Sequence, residues 1–224
     1  MTATEPIAKI YFTDQVRSKE RVRDLAEVYT HEREVNAMLD LVADMFPSEQ
    51  AAENLDRTFL EPACGHGNFL VEIIRRKLAY VTLDRHGEGD ELEYCLLRCF
   101  TSTYGIDIDE ANVFEARERM FEVLDKHVRN MGAAVSVEFL DAIGSVLGTN
   151  VQQGDTLADA KNIQLVEYKA VGGAAFVREW SDLEGPATDD QLDLFSEIPA
   201  APTRDAVPIH YKYLARTPSP TSSK

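Results

Sequence analysis

A short strand–turn–helix pattern near residue 60 is the feature that most restricts the fold of this chain. Thr58-Phe59-Leu60 is an apolar run typical of a strand, and it leads into the turn Glu61-Pro62-Ala63-Cys64-Gly65-His66-Gly67. Apolar residues then repeat at helical spacing: Phe69, Leu70, Ile73, Ile74 and Leu78. Glycines in such a turn let the backbone adopt positive φ and approach a ligand closely. The following helix start offers free N–H groups to an anion, although many strand–helix turns hold two glycines for packing alone.

The rest of the chain continues this alternation. Further strands are expected near 104–107, 150–155 and 163–166, and further helices near 30–46, 92–100, 113–124 and 135–147. Such alternation is typical of a doubly wound, mostly parallel α/β sheet. With 224 residues there is room for one sizeable core and a tail. The predicted units are a helical segment over 1–50, an α/β domain over 51–184, and an acidic, proline-containing, flexible tail over 185–224.

The segment Glu61 to Leu70 resembles the first motif of adenine-N6 DNA methyltransferases, E-P-A-C-G-x-G-N-F-L. The resemblance implies the Rossmann-like α/β fold of S-adenosylmethionine-dependent methyltransferases. An acid at the strand end can pair with a cationic amine, and the helix start can bind a carboxylate. The cofactor contacts implied in this motif are Glu61, Pro62, Ala63, Gly65, Gly67, Asn68 and Phe69.

A second pattern, Tyr104-Gly105-Ile106-Asp107-Ile108-Asp109, follows at the next expected strand. An acid at the carboxyl end of a strand can accept hydrogen bonds from ribose hydroxyls. The methyltransferase pattern assigns that role to Asp107 and places Ile108 against the adenine ring. An NAD-binding turn is disfavoured because Leu70 stands where its third glycine belongs, and the distance to Asp107 exceeds the usual spacing of about 20 residues. A helix N-cap remains the alternative role for this acid.

Two further segments resemble the same family. In Gly154-Asp155-Thr156-Leu157, Asp155 matches the acid that accepts from the adenine amino group, with a turn or cap aspartate as the alternative. Ala26-Glu27-Val28-Tyr29-Thr30 resembles the upstream motif G-E-V-Y-T-P, whose loop closes over the methionine end of the cofactor. Tyr29 and Thr30 are therefore candidate contacts, although His31 replaces the proline. Thr30 is also predicted to cap the first core helix.

The catalytic element of adenine-N6 transfer, Asn/Asp-Pro-Pro-Tyr/Phe, is absent from the sequence. In that element a polar side chain and a proline carbonyl accept from the target amino group, and the aromatic ring stacks on the flipped base. Glu167 and Tyr168 follow the fourth predicted strand and are the replacement candidates, with ordinary strand-end residues as the alternative. The sequence thus predicts an adenine-N6 DNA methyltransferase or its cofactor-binding subunit. The alternative is an inactive S-adenosylmethionine-binding regulatory or assembly subunit of a DNA modification or restriction system.

The acidic tail contains a segment similar to the peptide by which bacterial replication and repair proteins dock on the sliding clamp. Its residues are Gln191, Leu192, Asp193, Leu194 and Phe195. The last two would fill an apolar pocket while the glutamine hydrogen-bonds at its rim. The alternative is that these residues pack back on the domain.

Charge and cysteine content restrict the partners. The formal net charge is −16, and residues 1–180 still carry −13, which does not favour tight DNA binding by this chain alone. DNA contact is therefore expected to need a partner subunit, while a non-DNA substrate would also fit the charge. Cys64, Cys95 and Cys99 have no paired metal spacing and are predicted to be buried free thiols, without a metal site. Free thiols and the absence of a visible secretory signal predict a reduced, cytoplasmic protein. No apolar run approaches 18 residues, so we expect no membrane span.

Overall fold

The computed structural model describes residues 30–183 and 203–217. Tyr29 lies outside these ranges, so its predicted contact with the cofactor stays a prediction. The same holds for the predicted clamp-docking residues, which are Gln191, Leu192, Asp193, Leu194 and Phe195.

A three-stranded parallel sheet forms the centre of the molecule. Its strands are β1 (Phe59–Glu61), β2 (Thr103–Asp107) and β3 (Val151–Gln153), and they lie in that order. The helices are α1 (Glu32–Asp40), α2 (Asn68–Leu78), α3 (Leu83–His86), α4 (Asp90–Thr101), α5 (Glu110–Met131) and α6 (Val137–Asn150). Short 3-10 helices occupy Ala43–Met45, Ala52–Asp56, Ala160–Asn162 and Tyr211–Arg216. This mixed α/β arrangement is consistent with a Rossmann-like fold.

Glycines allow α2 to pack closely on the sheet and on α5. A Cβ atom at Gly105 in β2 would lie 2.5 Å from Leu70 Cδ1, and one at Gly67 would lie 2.8 Å from the Cβ of Ala116 in α5. Apolar side chains from α2, α4, α5 and α6 fill the main core, including the fully buried Leu70 and Phe139. This packing fixes the loop between β1 and α2 against its neighbours.

The fourth predicted strand does not extend the parallel sheet. It is β4 (Gln164–Val171), which pairs antiparallel with β5 (Ala175–Asp182). Only residues 172–174 connect the two strands, with Gly173 at φ 75°, whereas a parallel return needs a crossover of a dozen or more residues. The predicted parallel pairing is thus confirmed for the first three strands, whereas the double winding of the sheet stays a prediction. The described strands show no reversal of strand order.

The C-terminal described residues pack on the domain, contrary to the predicted flexible tail. The strands β6 (Thr203–Arg204) and β7 (Ile209–His210) both pair with β5. Tyr211 is fully buried and donates a 2.6 Å hydrogen bond to Glu93 Oε2. The tail boundary predicted at residue 185 is therefore wrong for residues 203–217, because apolar side chains in this segment complete the core.

The described part of the N-terminal segment belongs to the same fold. In α1, Val35 and Leu39 are buried and pack with Ile73 of α2. This helix begins after His31, which has no side-chain cap, so the predicted capping role of Thr30 is wrong. The carbonyl of Thr30 instead accepts a hydrogen bond from Asn68.

All three cysteines are buried free thiols, as the sequence predicts. Over residues 30–183 and 203–217, no helix has both the length and the apolar character needed to cross a membrane.

Candidate cofactor site

Three loops meet at the carboxyl ends of the parallel strands. The loop after β1 is joined to β2 by a 2.8 Å hydrogen bond from Gly65 N to Asp107 Oδ2. The loop after β3 is joined to β2 by a 2.9 Å bond from Gly154 N to the Asp107 carbonyl. Thr156 Oγ1 donates to Pro62 O at 3.1 Å, which connects the first and third loops. The sequence motifs around Glu61, Asp107 and Asp155 are thus brought to one edge of the sheet.

The two glycines of the first turn have different surroundings. Both adopt positive φ, 51° at Gly65 and 89° at Gly67. A Cβ atom at Gly67 would contact Ala116, so packing accounts for this glycine, whereas one at Gly65 would have no heavy atom within 4 Å. Gly65 therefore borders open space where a ligand can approach the backbone.

The helix that follows the turn begins without a capping side chain. Its N-cap is Gly67, and its first turn contains no acid. The first helical hydrogen bond runs from Val71 N to Gly67 O at 2.9 Å. The N–H groups of Asn68, Phe69 and Leu70 come before this bond and therefore have no carbonyl acceptor within the helix. Such a terminus carries a partial positive charge that suits an anion.

Glu61 supplies an acid at the end of β1. Its side chain is half-buried, and its Oε1 accepts a long 3.4 Å hydrogen bond from Ala63 N. Burial raises the pKa of Glu61 above its ordinary value of 4.5, and the bond from Ala63 opposes this only in part. A cationic group beside this carboxylate would stabilise its charged form.

Asp107 has a structural role that sequence reasoning missed. Its side chain is 9% exposed. Besides the bond from Gly65, its Oδ1 accepts from Asp109 N at 2.9 Å and from Asn112 Nδ2 at 3.2 Å. A carboxylate offers about four acceptor positions, so these three bonds leave one for a hydroxyl. The acid therefore holds the glycine turn against β2.

Ile108 extends from the same strand end into solvent. Its residue is 58% exposed, although it is a large apolar side chain directly after a buried strand. Gln153 Nε2 donates to its carbonyl at 3.0 Å, which fixes the backbone there. An exposed apolar surface beside an acid is suited to the flat ring of a nucleoside.

Asp155 caps the turn that follows β3. Its Oδ1 accepts from Leu157 N at 3.0 Å and from Ala158 N at 2.9 Å. The structure therefore shows the turn-capping role that was the alternative in the sequence. Its second oxygen takes no part in this cap. The capped turn holds Leu157 almost fully in solvent, at 97% exposure.

Thr30 lies against the glycine turn through Asn68, whose Nδ2 donates to the Thr30 carbonyl at 2.9 Å. Arg119 in α5 completes this arrangement by donating to His66 O at 2.6 Å and to Asn68 Oδ1 at 2.9 Å. Sequence reasoning missed Arg119, because its partners lie about fifty positions away and one of them is a backbone carbonyl.

The structure does not bring Glu167 and Tyr168 to this edge. Tyr168 lies inside β4, its hydroxyl is 2.9 Å from Thr149 Oγ1, and burial raises its pKa. Thr149 precedes β3, so the three residues of β3, about 10 Å long at 3.3 Å per residue, separate it from the carboxyl edge. Glu167 is exposed and forms an ion pair with Lys169 at 3.5 Å.

No thiol or metal cluster adds to the chemistry of this edge. Burial, together with the charges of Asp107 and Glu61, raises the pKa of the Cys64 thiol to about 12, so it is a poor nucleophile. In the described ranges, no group of three His, Cys, Asp or Glu side chains is placed to hold a metal ion.

Comparisons with known proteins gave no match to any family model, curated protein or solved structure. The functional assignment therefore depends on the motif resemblance and on the geometry of the three loops.

Proposed function

We propose that this chain binds S-adenosylmethionine at the carboxyl ends of β1, β2 and β3, as the cofactor-binding part of an adenine-N6 DNA methyltransferase. The observation that carries the proposal is the meeting of the three motif loops. Gly65 is hydrogen-bonded to Asp107, Thr156 is hydrogen-bonded to Pro62, and open space lies over Gly65.

The residues at this edge match the chemical groups of the cofactor. The remaining acceptor position of Asp107 would take a ribose hydroxyl, and Ile108 would contact the adenine ring. The half-buried carboxylate of Glu61 would pair with the methionine ammonium. The uncapped start of α2 would bind the methionine carboxylate. The bound cofactor would supply an electrophilic methyl group, while the residues of this chain bind and orient it.

Among the described residues, neither replacement candidate for the catalytic element lies beside the three loops, so we infer that a partner chain binds the methyl acceptor. Glu167 and Tyr168 lie in β4, away from the three loops. Among the described strands, β1 pairs with β2 alone, so no described strand pairs with its outer edge beside the Glu61 loop. A partner would also supply the basic surface that a chain of net charge −16 does not favour.

Titration calorimetry of the purified chain with S-adenosylmethionine is the first test, with NAD as the control ligand. Asp107→Ala should weaken binding about tenfold or more, since a hydrogen bond to a charged acceptor contributes about 1.5–3 kcal/mol. Part of that loss would come from the freed turn at Gly65. Asp182→Ala, an exposed acid at the end of β5, is the matched control and should leave the affinity unchanged. Absence of S-adenosylmethionine binding by the wild type would reject the proposal.

A second candidate function is an inactive S-adenosylmethionine-binding subunit that regulates or assembles a DNA modification system. The position of Tyr168 at the opposite end of β3 favours it. Radiolabelled cofactor and unmethylated DNA of mixed sequence separate the two functions. Label in DNA with this chain alone would show a complete enzyme. Label in DNA only with a partner chain would show a divided enzyme, and retention on the protein under both conditions would favour the inactive subunit.

A further inference from the structure

Arg119 links α5 to the turn between β1 and α2. Its guanidinium is half-buried and donates to two neutral oxygens, His66 O at 2.6 Å and Asn68 Oδ1 at 2.9 Å. The planar fork of an arginine can hold two acceptors in one fixed geometry, which a lysine cannot do. The turn and the first residue of α2 are thus held by one side chain from a separate helix.

These bonds fix the orientation of the Asn68 amide. Because Oδ1 accepts from Arg119, the amide nitrogen is directed to the Thr30 carbonyl, to which it donates at 2.9 Å. A short polar side chain at a helix start commonly bonds to the first free N–H groups. The N-cap residue Gly67 has no side chain, and both ends of the Asn68 amide are engaged elsewhere, so no side chain caps the start of α2.

We propose that Arg119 is a positioning residue for the methionine end of S-adenosylmethionine. Through His66 and Asn68 it holds the glycine turn, the open start of α2 and the Thr30 backbone in one arrangement. It acts through these neighbours and takes no part in methyl transfer. This inference rests on the proposed function, because the positioning role concerns the methionine end of the proposed ligand.

The test compares two ligands that share adenosine and a sulfur substituent. S-adenosylmethionine carries the amino acid group, and 5′-methylthioadenosine lacks it. Arg119→Gln should weaken S-adenosylmethionine binding about tenfold, because the turn and the start of α2 lose the two hydrogen bonds that order them. It should change binding of methylthioadenosine by less than about twofold. Arg119→Lys keeps the charge but not the fork, so it should restore only part of the affinity. Lys126→Gln, at an exposed position of the same helix, is the control for charge loss.

A second variant, Asn68→Asp, tests the same arrangement without removing Arg119. It keeps an acceptor for the guanidinium but replaces the donor to Thr30 with an oxygen, so it should also weaken only the ligand with the amino acid group. Thermal unfolding of every variant identifies those that fold. Equal losses for both ligands in folded variants, or no loss for either, would overturn the positioning role while the proposed function stands. If the wild type binds neither ligand, the proposed function fails, and the inference fails with it.

Discussion

The two ends of the parallel sheet use polar side chains in different ways. At the amino end, Lys77 is fully buried and donates to Leu55 O, Arg57 O and Ser102 Oγ, at 3.3, 2.6 and 2.6 Å. The Asn150 side chain fills the same end by donating to the carbonyls of residues 100, 101 and 103. At the carboxyl end, Ile108 is exposed and Gly65 borders open space.

This difference separates stability from binding within one small sheet. Buried polar groups that find their partners inside the chain hold the fold together, and leaving one of them unpaired is costly. Asp107 and Glu61, two carboxylates with acceptor positions left over, lie at the carboxyl end. Substitutions at the amino end should therefore change stability alone, whereas those at the carboxyl end should change ligand affinity.

The largest expected effect is the difference in stability loss between alanine substitutions at the two glycines of the carboxyl end. Gly67→Ala should lower the free energy of unfolding by about 2–4 kcal/mol, because a side chain there meets positive φ and the Ala116 backbone. Gly65→Ala should cost about 1 kcal/mol for its φ alone, since its surroundings are open. It should nevertheless weaken S-adenosylmethionine binding. Urea unfolding measures the stability losses, and equal losses would contradict the packing difference between the two glycines. Calorimetry measures the affinity, and an unchanged affinity in Gly65→Ala would contradict the assignment of Gly65 to the ligand.

Loss of the buried amine at the amino end comes next. Lys77→Met should destabilise the protein by about 1–3 kcal/mol, because carbonyl groups lose their donor, and cofactor affinity should not change. Burial lowers the pKa of Lys77 from 10.5 to about 8. Between pH 8 and 10.5, Lys77 is protonated in the unfolded chain and deprotonated in the folded protein, so the wild type becomes more stable as the pH rises. The difference in free energy of unfolding between the wild type and Lys77→Met should therefore widen above pH 8. Denaturant unfolding at several pH values checks both points, with exposed Lys126→Met as the control. A gap that narrows above pH 8 would contradict the prediction.

Substitution of Ile108 should have a smaller effect, and this effect should change affinity without changing stability. Ile108→Ala should weaken S-adenosylmethionine binding roughly threefold to tenfold, because apolar contact with adenine is lost. Its stability should stay within about 0.5 kcal/mol of the wild type, since the side chain is exposed. Val137→Ala, at another exposed apolar position, controls for the truncation. An affinity equal to the wild type would remove Ile108 from the site.

The smallest expected effect is a gradual change of affinity with pH that depends on Glu61. Its deprotonated form is the one that pairs with an ammonium, and burial raises its pKa above 4.5. Affinity for S-adenosylmethionine should therefore fall as the pH decreases from neutral toward that raised pKa. Glu61→Gln should bind more weakly at neutral pH and show no such decline, and methylthioadenosine should show none with either protein. If the affinities of wild type and variant change with pH in the same way, the pairing of Glu61 with the ammonium group is excluded.

The sequence predicts the first half of the fold better than the second. The strand before Glu61, the helix after Gly67 and the strand that ends at Asp107 follow from apolar spacing and turn residues. Residues 163–166 look like a buried strand in either a parallel or an antiparallel sheet, so their apolar character could not decide between them. The Gly172-Gly173 pair was the available turn signal for a hairpin.

The site could be predicted as a set of motifs but not as a network. Its loops follow three successive strands, and parallel strands place such loops at one edge. The bonds from Gly65 to Asp107 and from Arg119 to His66 join residues 42 and 53 positions apart. No local pattern specifies such pairs, because the helix packing that aligns them depends on the whole core.

Because every native thiol is buried, a fluorescent reporter can be attached selectively at one introduced cysteine. Burial raises the pKa to about 12 for Cys64 and Cys99 and to about 11 for Cys95, so labelling reagents should react with them slowly. A cysteine introduced at Leu157, which is held in solvent by the Asp155 cap, would be the preferred target. A dye at that position would lie at the rim of the three loops, where its emission can follow the arrival of a nucleoside in real time.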